Sequence, residues 1–193
     1  MNTINDARQG ELFPKGEQPP HIMLDLETFG SGSTAVIVSI GAVKFYPGHD
    51  DLLDSFYTAV SPSSCTRVGL KMDASTMLWW MAPERADARN QLLNGEAVEL
   101  PEALDGFAQW LGAKRGPVWG NGAAFDNVIL RNAYFAIGEE APWPFWNDRC
   151  FRTLKALAPK NLEPRRQGTH HNALDDAIHQ AKWLQAISMH LGL

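Results

Sequence analysis

The sequence predicts an α/β domain with a mixed sheet and helices on both of its faces. Between residues 22 and 60, three apolar, β-branched segments follow one another across short turns, which is typical of an antiparallel meander. After that, helical spacing of apolar residues alternates with one short apolar strand, and the crossover should place this strand parallel to the first. With 193 residues and 45% hydrophobic content, the chain suits one domain with a substantial core.

The meander is expected to comprise strands at residues 22–27, 35–45 and 55–60. The middle segment, AVIVSIGAVKF, is long and almost continuously apolar, which indicates a central strand. Residues 1–20 are polar and show no periodicity. We therefore expect a flexible N-terminal tail over residues 1–20 and a folded domain over residues 21–193.

Apolar periodicity predicts the remaining elements. Helices are expected at residues 73–81, 100–111, 124–136, 150–158 and 173–191. One more short helix is expected after Pro83, which ends the first of them. A short apolar strand at residues 117–119 ends at the GNG turn, whereas APWPFWND and residues 159–169 are expected to be loops.

Composition narrows the class of protein. No run approaches the roughly 18 apolar residues that span a bilayer, so we expect no membrane association. The N-terminus lacks the basic-then-apolar plan of a signal peptide. Cys65 and Cys150 form no disulfide framework, which predicts free thiols in a reducing cytoplasm and hence a cytoplasmic protein.

Two carboxylates lie on the first predicted strand, in the segment HIMLDLETFG. Side chains alternate along a strand, so Asp25 and Glu27 face the same side, roughly 6.6 Å apart. Two carboxylates that close repel each other unless a cation lies between them, and oxygen ligands favour Mg²⁺ or Mn²⁺. The alternative is a pair of solvated acids at a sheet edge.

A third carboxylate, Asp126, follows the predicted strand of PVWGNG and opens a helix. The helix dipole alone favours an acid at that position. If Asp126 instead joins Asp25 and Glu27, the set can hold divalent metals for in-line attack of water on a phosphodiester.

The segment HHNALDDA supplies a fourth carboxylate and a base. Asn172 is a plausible N-cap, which places Asp175 at a position where local capping is common. Asp176 is then the expected metal ligand, and His171, in the loop before the helix, is free to act as a general base near neutral pH. His170 is the rival base.

The stretch from Arg149 to Arg166 is locally basic, although the chain carries a net charge of −5. Two divalent cations on the four clustered carboxylates would bring that charge close to neutral. The basic stretch can then track a phosphate backbone, or it is a solvated surface.

These segments closely resemble the DEDDh exonucleases. DLET matches the first motif of that superfamily, NGAAFD the second and HNALDDA the third, with its His-x-x-x-x-Asp spacing. The stretches TMLWWMAPERADAR and DRCFRTLKAL resemble the phage and prophage exonuclease VIII-like branch and a mycobacterial exoribonuclease-like group. The resemblance implies an RNase H-like fold and two-metal 3′–5′ exonuclease activity. It implies that Asp25, Glu27, Asp126 and Asp176 are the ligands of two ions, Mg²⁺ or Mn²⁺. It also implies that His171 is the general base.

The resemblance also implies a substrate and its position. The expected partner is nucleic acid with a single-stranded 3′ end, DNA or RNA, from which nucleoside monophosphates are released. Its 3′-terminal nucleotide is expected against Thr28 and Phe29, and the pair Trp79 and Trp80 either stacks on bases or belongs to the core. A homodimer is compatible with the family.

Two other functions fit part of the pattern. One is a phosphodiesterase for oligonucleotides or small nucleotides, which would cleave a dinucleotide as fast as a long strand. The other is a nucleic-acid-binding module that kept the fold without the chemistry, although such a binder has no need for clustered carboxylates.

Overall fold

A computed structural model of the chain describes residues 18–113 and 115–192. Within these residues, six strands form one sheet and seven α-helices pack around it. The strands are β1 (His21–Thr28), β2 (Ile37–Phe45), β3 (Leu52–Val60), β4 (Ala97–Val98), β5 (Val118–Gly120) and β6 (Asp148–Cys150). The helices are α1 (Pro62–Arg67), α2 (Ala74–Met81), α3 (Ala86–Asn94), α4 (Leu100–Leu111), α5 (Asp126–Ala136), α6 (Phe151–Leu157) and α7 (Ala173–Leu191).

The sheet is mixed, as the sequence predicts, with the strand order β4-β3-β2-β1-β5-β6. Strands β1, β2 and β3 form the antiparallel meander, whereas β5 runs parallel to β1 and β6 runs parallel to β5. The carboxyl ends of β1, β5 and β6 therefore meet at one edge of the sheet. In sheets with parallel strands, this is the edge where functional groups collect.

Helices cover both faces of the sheet, and this expectation is also confirmed. Along β1, Ile22, Leu24 and Leu26 point into a core shared with α4 and α5. Met23 points to the opposite face, into a second core with α6 and α7. Side chains alternate along β1, so Asp25 and Glu27 point to the same face as Met23. The acidic pair therefore lies on the face that α7 covers.

Local sequence explains where the helices near the site begin and end. Helix α2 begins after Asp73, whose carboxylate accepts the backbone N–H of Thr76 at 2.7 Å, and it ends two residues before Pro83. Helix α7 begins after Asn172, whose side-chain oxygen accepts two backbone N–H groups, and it ends at Gly192 in the left-handed region with φ 70°. The bounds of α4 and α7 are those that the sequence predicts.

Several short elements differ from the prediction. The segment predicted as the loop APWPFWND contains a 3₁₀ turn, Phe145–Asn147, and then begins β6. Strand β4 and helix α1 were not predicted either, and β3 begins earlier, at Leu52. Strands β4 and β6 span only two and three residues, too few for an alternating pattern, and their pairing with β3 and β5 defines them.

The predicted tail over residues 1–20 lies mostly outside the described residues, which begin at residue 18. The carbonyl of Pro20 packs against the backbone of Gly116, so the last residues of the expected tail already belong to the fold. Among the described helices, none is long and apolar enough to cross a membrane.

Candidate active site

The structure brings the predicted metal ligands and the predicted base together at the carboxyl edge of β1 and β5. They line one cavity of about 360 Å³, which lies in the size range of ligand-binding sites. Three elements supply them: β1, the first turn of α5, and the start of α7 with the loop before it. The residues concerned are Asp25, Glu27, Asp126, His171 and Asp176.

Gly41 sets the distance between the sheet and α7. It pairs with Asp25 across β1 and β2, on the face that α7 covers. A Cβ at this position would lie 2.2 Å from the carbonyl carbon of Ala173 and 2.3 Å from the nitrogen of Leu174. The first turn of α7 therefore rests directly on the backbone of β2, and this close approach puts Asp176 beside the acidic pair of β1.

Asp126 occupies the point where strand pairing stops. Strand β5 pairs with β1 only as far as Leu24 and Gly120, so the β1 backbone beyond that point lacks a strand neighbour on this side. The N–H of Leu26 donates instead to Oδ1 of Asp126, at 3.2 Å. A Cβ on Gly120 would lie 3.0 Å from the other carboxylate oxygen, so the small residue lets Asp126 approach. The carboxylate is buried, with an exposed fraction of 3%.

The histidine and the fourth carboxylate are fixed by hydrogen bonds at the start of α7. Oδ2 of Asp176 accepts the backbone N–H of His171 at 2.9 Å, and His171 has a positive φ of 64°. Asp175 bonds locally, because its Oδ2 accepts the N–H of Thr169 at 2.7 Å. Together with the Asn172 cap, this is the arrangement that the sequence predicts.

The electrostatics of the cluster favour a bound cation. Burial raises the pKa of Asp25 well above its usual range, and the charges of Asp126, Glu27 and Asp176 raise it further. Burial raises the pKa of Glu27 to about 8, together with the charges of Asp176 and Asp126. Burial also raises the pKa of Asp126 to about 7. Burial is the main cause of all three shifts, so the charged form of each carboxylate is costly in this site, and a divalent cation would offset that cost.

The donor atoms also fit a metal ion. Ligand atoms of Glu27, His171 and Asp176 all lie within 4.8 Å of one another. The carboxylate oxygens that dominate the cavity are the ligands that hard cations such as Mg²⁺ and Mn²⁺ prefer. The residues present therefore fit divalent metal of the kind that the sequence resemblance implies.

His171 lies against an aromatic pair on α2. The ring of Trp79 meets it edge-on at 4.8 Å between centroids, and the guanidinium of Arg85 lies 4.3 Å from the Trp79 ring. Burial lowers the pKa of His171 below 6.5, and the positive charge of Arg85 lowers it further. A neutral imidazole is the form that accepts a proton. His170 also lines the cavity, but it is exposed.

The residues after the acidic pair form a separate wall at the end of β1. Trp80 is buried, and its indole N–H donates to the carbonyl of Thr28 at 2.9 Å. Phe29 packs edge-on against Trp80, with 6.3 Å between centroids. Trp80 therefore belongs to the core, whereas Trp79 is 39% exposed. Thr28 and Phe29 lie beyond Glu27 and do not line the carboxylate cavity.

Two cavity residues that bond to the acidic side chains were not predicted as part of the site. The side-chain amide of Gln180 donates to Oδ1 of Asp25 at 2.8 Å, and Gln180 lies one helical turn after Asp176, so helical spacing could have indicated it. Arg166 forms an ion pair with Asp176. It belongs to the predicted basic stretch, of which Arg152 and Lys155 also line the cavity.

Comparisons with known proteins identify a matching family and similar nucleases. The model of the 3′-5′ exoribonuclease Rv2179c-like domain matches residues 20–188. An exodeoxyribonuclease of Enterobacteria phage T4 is 24% identical, over 70% of each chain.

Among solved structures, E. coli exonuclease I bound to single-stranded DNA superposes with a TM-score of 0.65 and 14% identity, covering 91% of this chain and 42% of that one. The chain thus spans less than half of exonuclease I. Exonuclease X in complex with a 5′ overhanging duplex DNA superposes with a TM-score of 0.57 and 18% identity, covering 90% of this chain and 93% of that one. The nuclease domain of 3′hExo, a DEDDh family member bound to rAMP, superposes with a TM-score of 0.58 and 14% identity, covering 92% of this chain and 94% of that one.

These neighbours share the RNase H-like fold, and the family match extends over most of the chain. The protein therefore belongs to the 3′-5′ exoribonuclease Rv2179c-like domain family.

Proposed function

We propose that this protein is a metal-dependent 3′–5′ exonuclease that removes nucleoside monophosphates from a single-stranded 3′ end. In this proposal two divalent ions, Mg²⁺ or Mn²⁺, are held by Asp25, Glu27, Asp126 and Asp176, and His171 is the general base. The observation that carries the proposal is the convergence of four carboxylates and one imidazole on a single cavity. Burial raises the pKa of three of these carboxylates, Asp25, Glu27 and Asp126.

Each residue has a role that its contacts support. Bound metal would supply an acidified water and neutralise charge on the leaving oxygen. His171 would take the proton of the attacking water, and the hydrogen bond from its N–H to Asp176 fixes the loop that carries it. Gln180 holds the carboxylate of Asp25 in one orientation through its 2.8 Å hydrogen bond. Thr28 and Phe29 would contact the 3′-terminal nucleotide beyond the acidic pair.

The substrate is proposed as nucleic acid of either sugar type. The matching family is described as exoribonuclease, whereas the phage relative is described as an exodeoxyribonuclease. Both rival functions, a phosphodiesterase for short substrates and a binding module without catalytic activity, would use the same cavity. A cluster of buried carboxylates is electrostatically unfavourable, and a protein that only binds nucleic acid does not need one.

The deciding experiment is a product ladder from single-stranded DNA and RNA labelled at the 5′ end. With Mg²⁺ or Mn²⁺ we expect stepwise shortening from the 3′ end and release of nucleoside monophosphates. Excess chelator should abolish both, and a dinucleotide should be cleaved more slowly than a long strand. Full activity in chelator would exclude the metal mechanism, and a faster reaction on the dinucleotide would favour the small-substrate phosphodiesterase.

Neighbouring carboxylates on α7 provide a matched control. Asp176→Asn should lose nearly all turnover, because it removes a proposed metal ligand. Asp175→Asn should retain most of it, because that carboxylate accepts the N–H of Thr169 in the preceding loop and does not line the cavity. If Asp175→Asn is the inactive variant and Asp176→Asn is not, the ligand assignment is wrong by one residue.

A further inference from the structure

Two different surfaces belong to the site. Thr28, Phe29 and Trp80 form a mostly apolar wall that follows Glu27 along the chain, with Thr28 and Trp80 buried. The lining of the carboxylate cavity includes Phe151, Arg152 and Lys155 of α6 and Trp183 of α7. We call this part of the lining the α6–α7 groove.

The groove presents two cations on one helix face. Arg152 and Lys155 are three residues apart on α6, so their side chains are neighbours with roughly 5–6 Å between Cβ atoms. Arg152 is exposed, and its guanidinium donates to the carbonyl of Asn121 at 2.6 Å, beside the turn that precedes Asp126. This hydrogen bond fixes Arg152 at the cavity and leaves donors of the guanidinium available.

The second cation is held by aromatic rings. The ammonium of Lys155 lies 4.8 Å from the Trp183 ring centroid and 5.6 Å from that of Phe151. Within residues 18–113 and 115–192, neither Lys155 nor Arg152 forms an ion pair with an acidic side chain. The acid on this side, Glu163, faces His179 at 3.6 Å. The two cations are therefore available to an anionic ligand.

Strand polarity indicates which anion reaches them. If the 3′-terminal nucleotide lies at the end of β1 and the scissile phosphate over the carboxylates, the preceding nucleotides must leave the carboxylates on a different side. Arg152 and Lys155 line the cavity, whereas Thr28 and Phe29 do not, so we take the α6–α7 groove as that side. Fixed cations that follow a groove are the usual contacts of a single strand's phosphates, and they act independently of base sequence.

We propose that the α6–α7 groove binds the phosphate backbone of the substrate strand on the 5′ side of the scissile bond, with Arg152 and Lys155 as its cationic contacts. This inference rests on the proposed exonuclease function. It makes the enzyme selective for strands over small phosphate esters, because only a strand reaches both the carboxylates and the groove.

Two substrates test the proposal. The first is a single-stranded oligonucleotide, and the second is the p-nitrophenyl ester of thymidine 5′-monophosphate, which has no nucleotide on its 5′ side. In the double variant Arg152→Ala, Lys155→Ala, the ratio of kcat/KM for the oligonucleotide to that for the ester should fall by roughly tenfold or more. The log–log salt dependence for the oligonucleotide should become shallower by about 1.4, because each neutralised phosphate of a single strand contributes about 0.7.

The matched control is Lys182→Ala. Lys182 lies on α7, is exposed and does not line the cavity, so its removal should leave the substrate ratio and the salt slope as in the wild type. An unchanged ratio in the double variant, or an equal loss on both substrates, would overturn the groove assignment while leaving the exonuclease function standing. A wild-type protein that hydrolyses neither substrate with Mg²⁺ or Mn²⁺ would overturn both.

Discussion

The acidic half of the site, Asp25, Glu27 and Asp126, is held differently from the histidine half, His171 and Asp176. Glu27 and Asp126 are 8% and 3% exposed, and the three residues lie on a central strand and at the first residue of a helix. His171 lies in a loop, is partly exposed and has a positive φ. Asp176 is placed by the backbone contact of α7 with Gly41, so within the histidine half it is His171 that depends on side-chain contacts.

Those side-chain contacts come mainly from α2 and α3. Trp79 packs edge-on against His171, and the side chain of Gln91 hydrogen-bonds to both Thr169 and Asn172, at 2.8 and 2.9 Å. Mutations in α2 or α3 should therefore displace the base without dismantling the carboxylate cluster. The two halves can be separated by experiment for this reason.

The largest effect is expected for Asp25→Asn. Turnover should fall by roughly 10⁴-fold, comparable to the loss of a central catalytic group in other hydrolases. The melting temperature of the metal-free protein should not fall, because the substitution removes one of the repelling charges. Activity assays with Mg²⁺ and thermal melts in chelator measure the two quantities. Turnover near the wild-type level would remove Asp25 from the mechanism.

The next effect is expected for His171→Ala. The variant should fold and bind metal, and turnover should fall by roughly 10²–10⁴-fold, the usual contribution of a positioned general base. The wild-type rate should rise with pH through an inflection below 6.5, because burial lowers the pKa of His171 and the neutral ring is the base. The variant should lack that inflection.

His170→Ala is the internal control and should cost little activity. Inactivation by His170→Ala alone would identify His170 as the base and shift the third motif by one residue.

A smaller effect should follow from Trp79→Ala. We expect roughly a tenfold loss in kcat, because the ring that packs against His171 is removed while the carboxylates stay in place. Trp79→Phe should recover part of the rate, and Leu78→Ala, which truncates an exposed residue of the same helix, should have no effect. Metal affinity unchanged by Trp79→Ala would confirm the separation of the two halves, and an equal loss of metal affinity would contradict it.

The smallest effect concerns the stability of the metal-free protein. Burial raises the pKa of Glu27 from 4.5 to about 8. The contribution of Glu27 to the free energy of unfolding is therefore fully present below pH 4.5 and is lost as pH rises through about 8. The melting temperature in chelator should fall across this window, by about 2–4 °C for each kcal/mol lost. Glu27→Gln should flatten the fall, and so should saturating Mg²⁺. An equally steep fall in Glu27→Gln would assign the pH dependence to other groups.

Much of the fold could be predicted because long elements carry a repeated pattern. The central meander follows from period-two alternation and from continuous β-branched runs, and α4 and α7 follow from helical spacing. Strands β4 and β6 could not be predicted, because two or three residues carry no period and their pairing with distant strands defines them.

The site shows the same division. Asp25, Glu27, Asp126, His171 and Asp176 stand in three short motifs, and the motifs together with the family resemblance predicted that they would meet in one cavity. Gln180 was not predicted, although its position one helical turn after Asp176 could have indicated it, and Arg85 could not be predicted because its contact with Trp79 arises only in the fold. Trp79 and Trp80 are adjacent in sequence but have different surroundings, and only the packing of α2 distinguishes the exposed ring from the buried one.

The backbone contact at Gly41 also bears on how this protein can be engineered. Helix α7 is anchored at its first turn by two main chains, whose distance does not depend on any rotamer. Leu184 and Ile187, farther along the helix, belong to the second core and can be exchanged for other apolar residues while the anchored end keeps its position. A designer who seeks thermal stability should therefore repack the distal part of α7 and leave Gly41 unchanged.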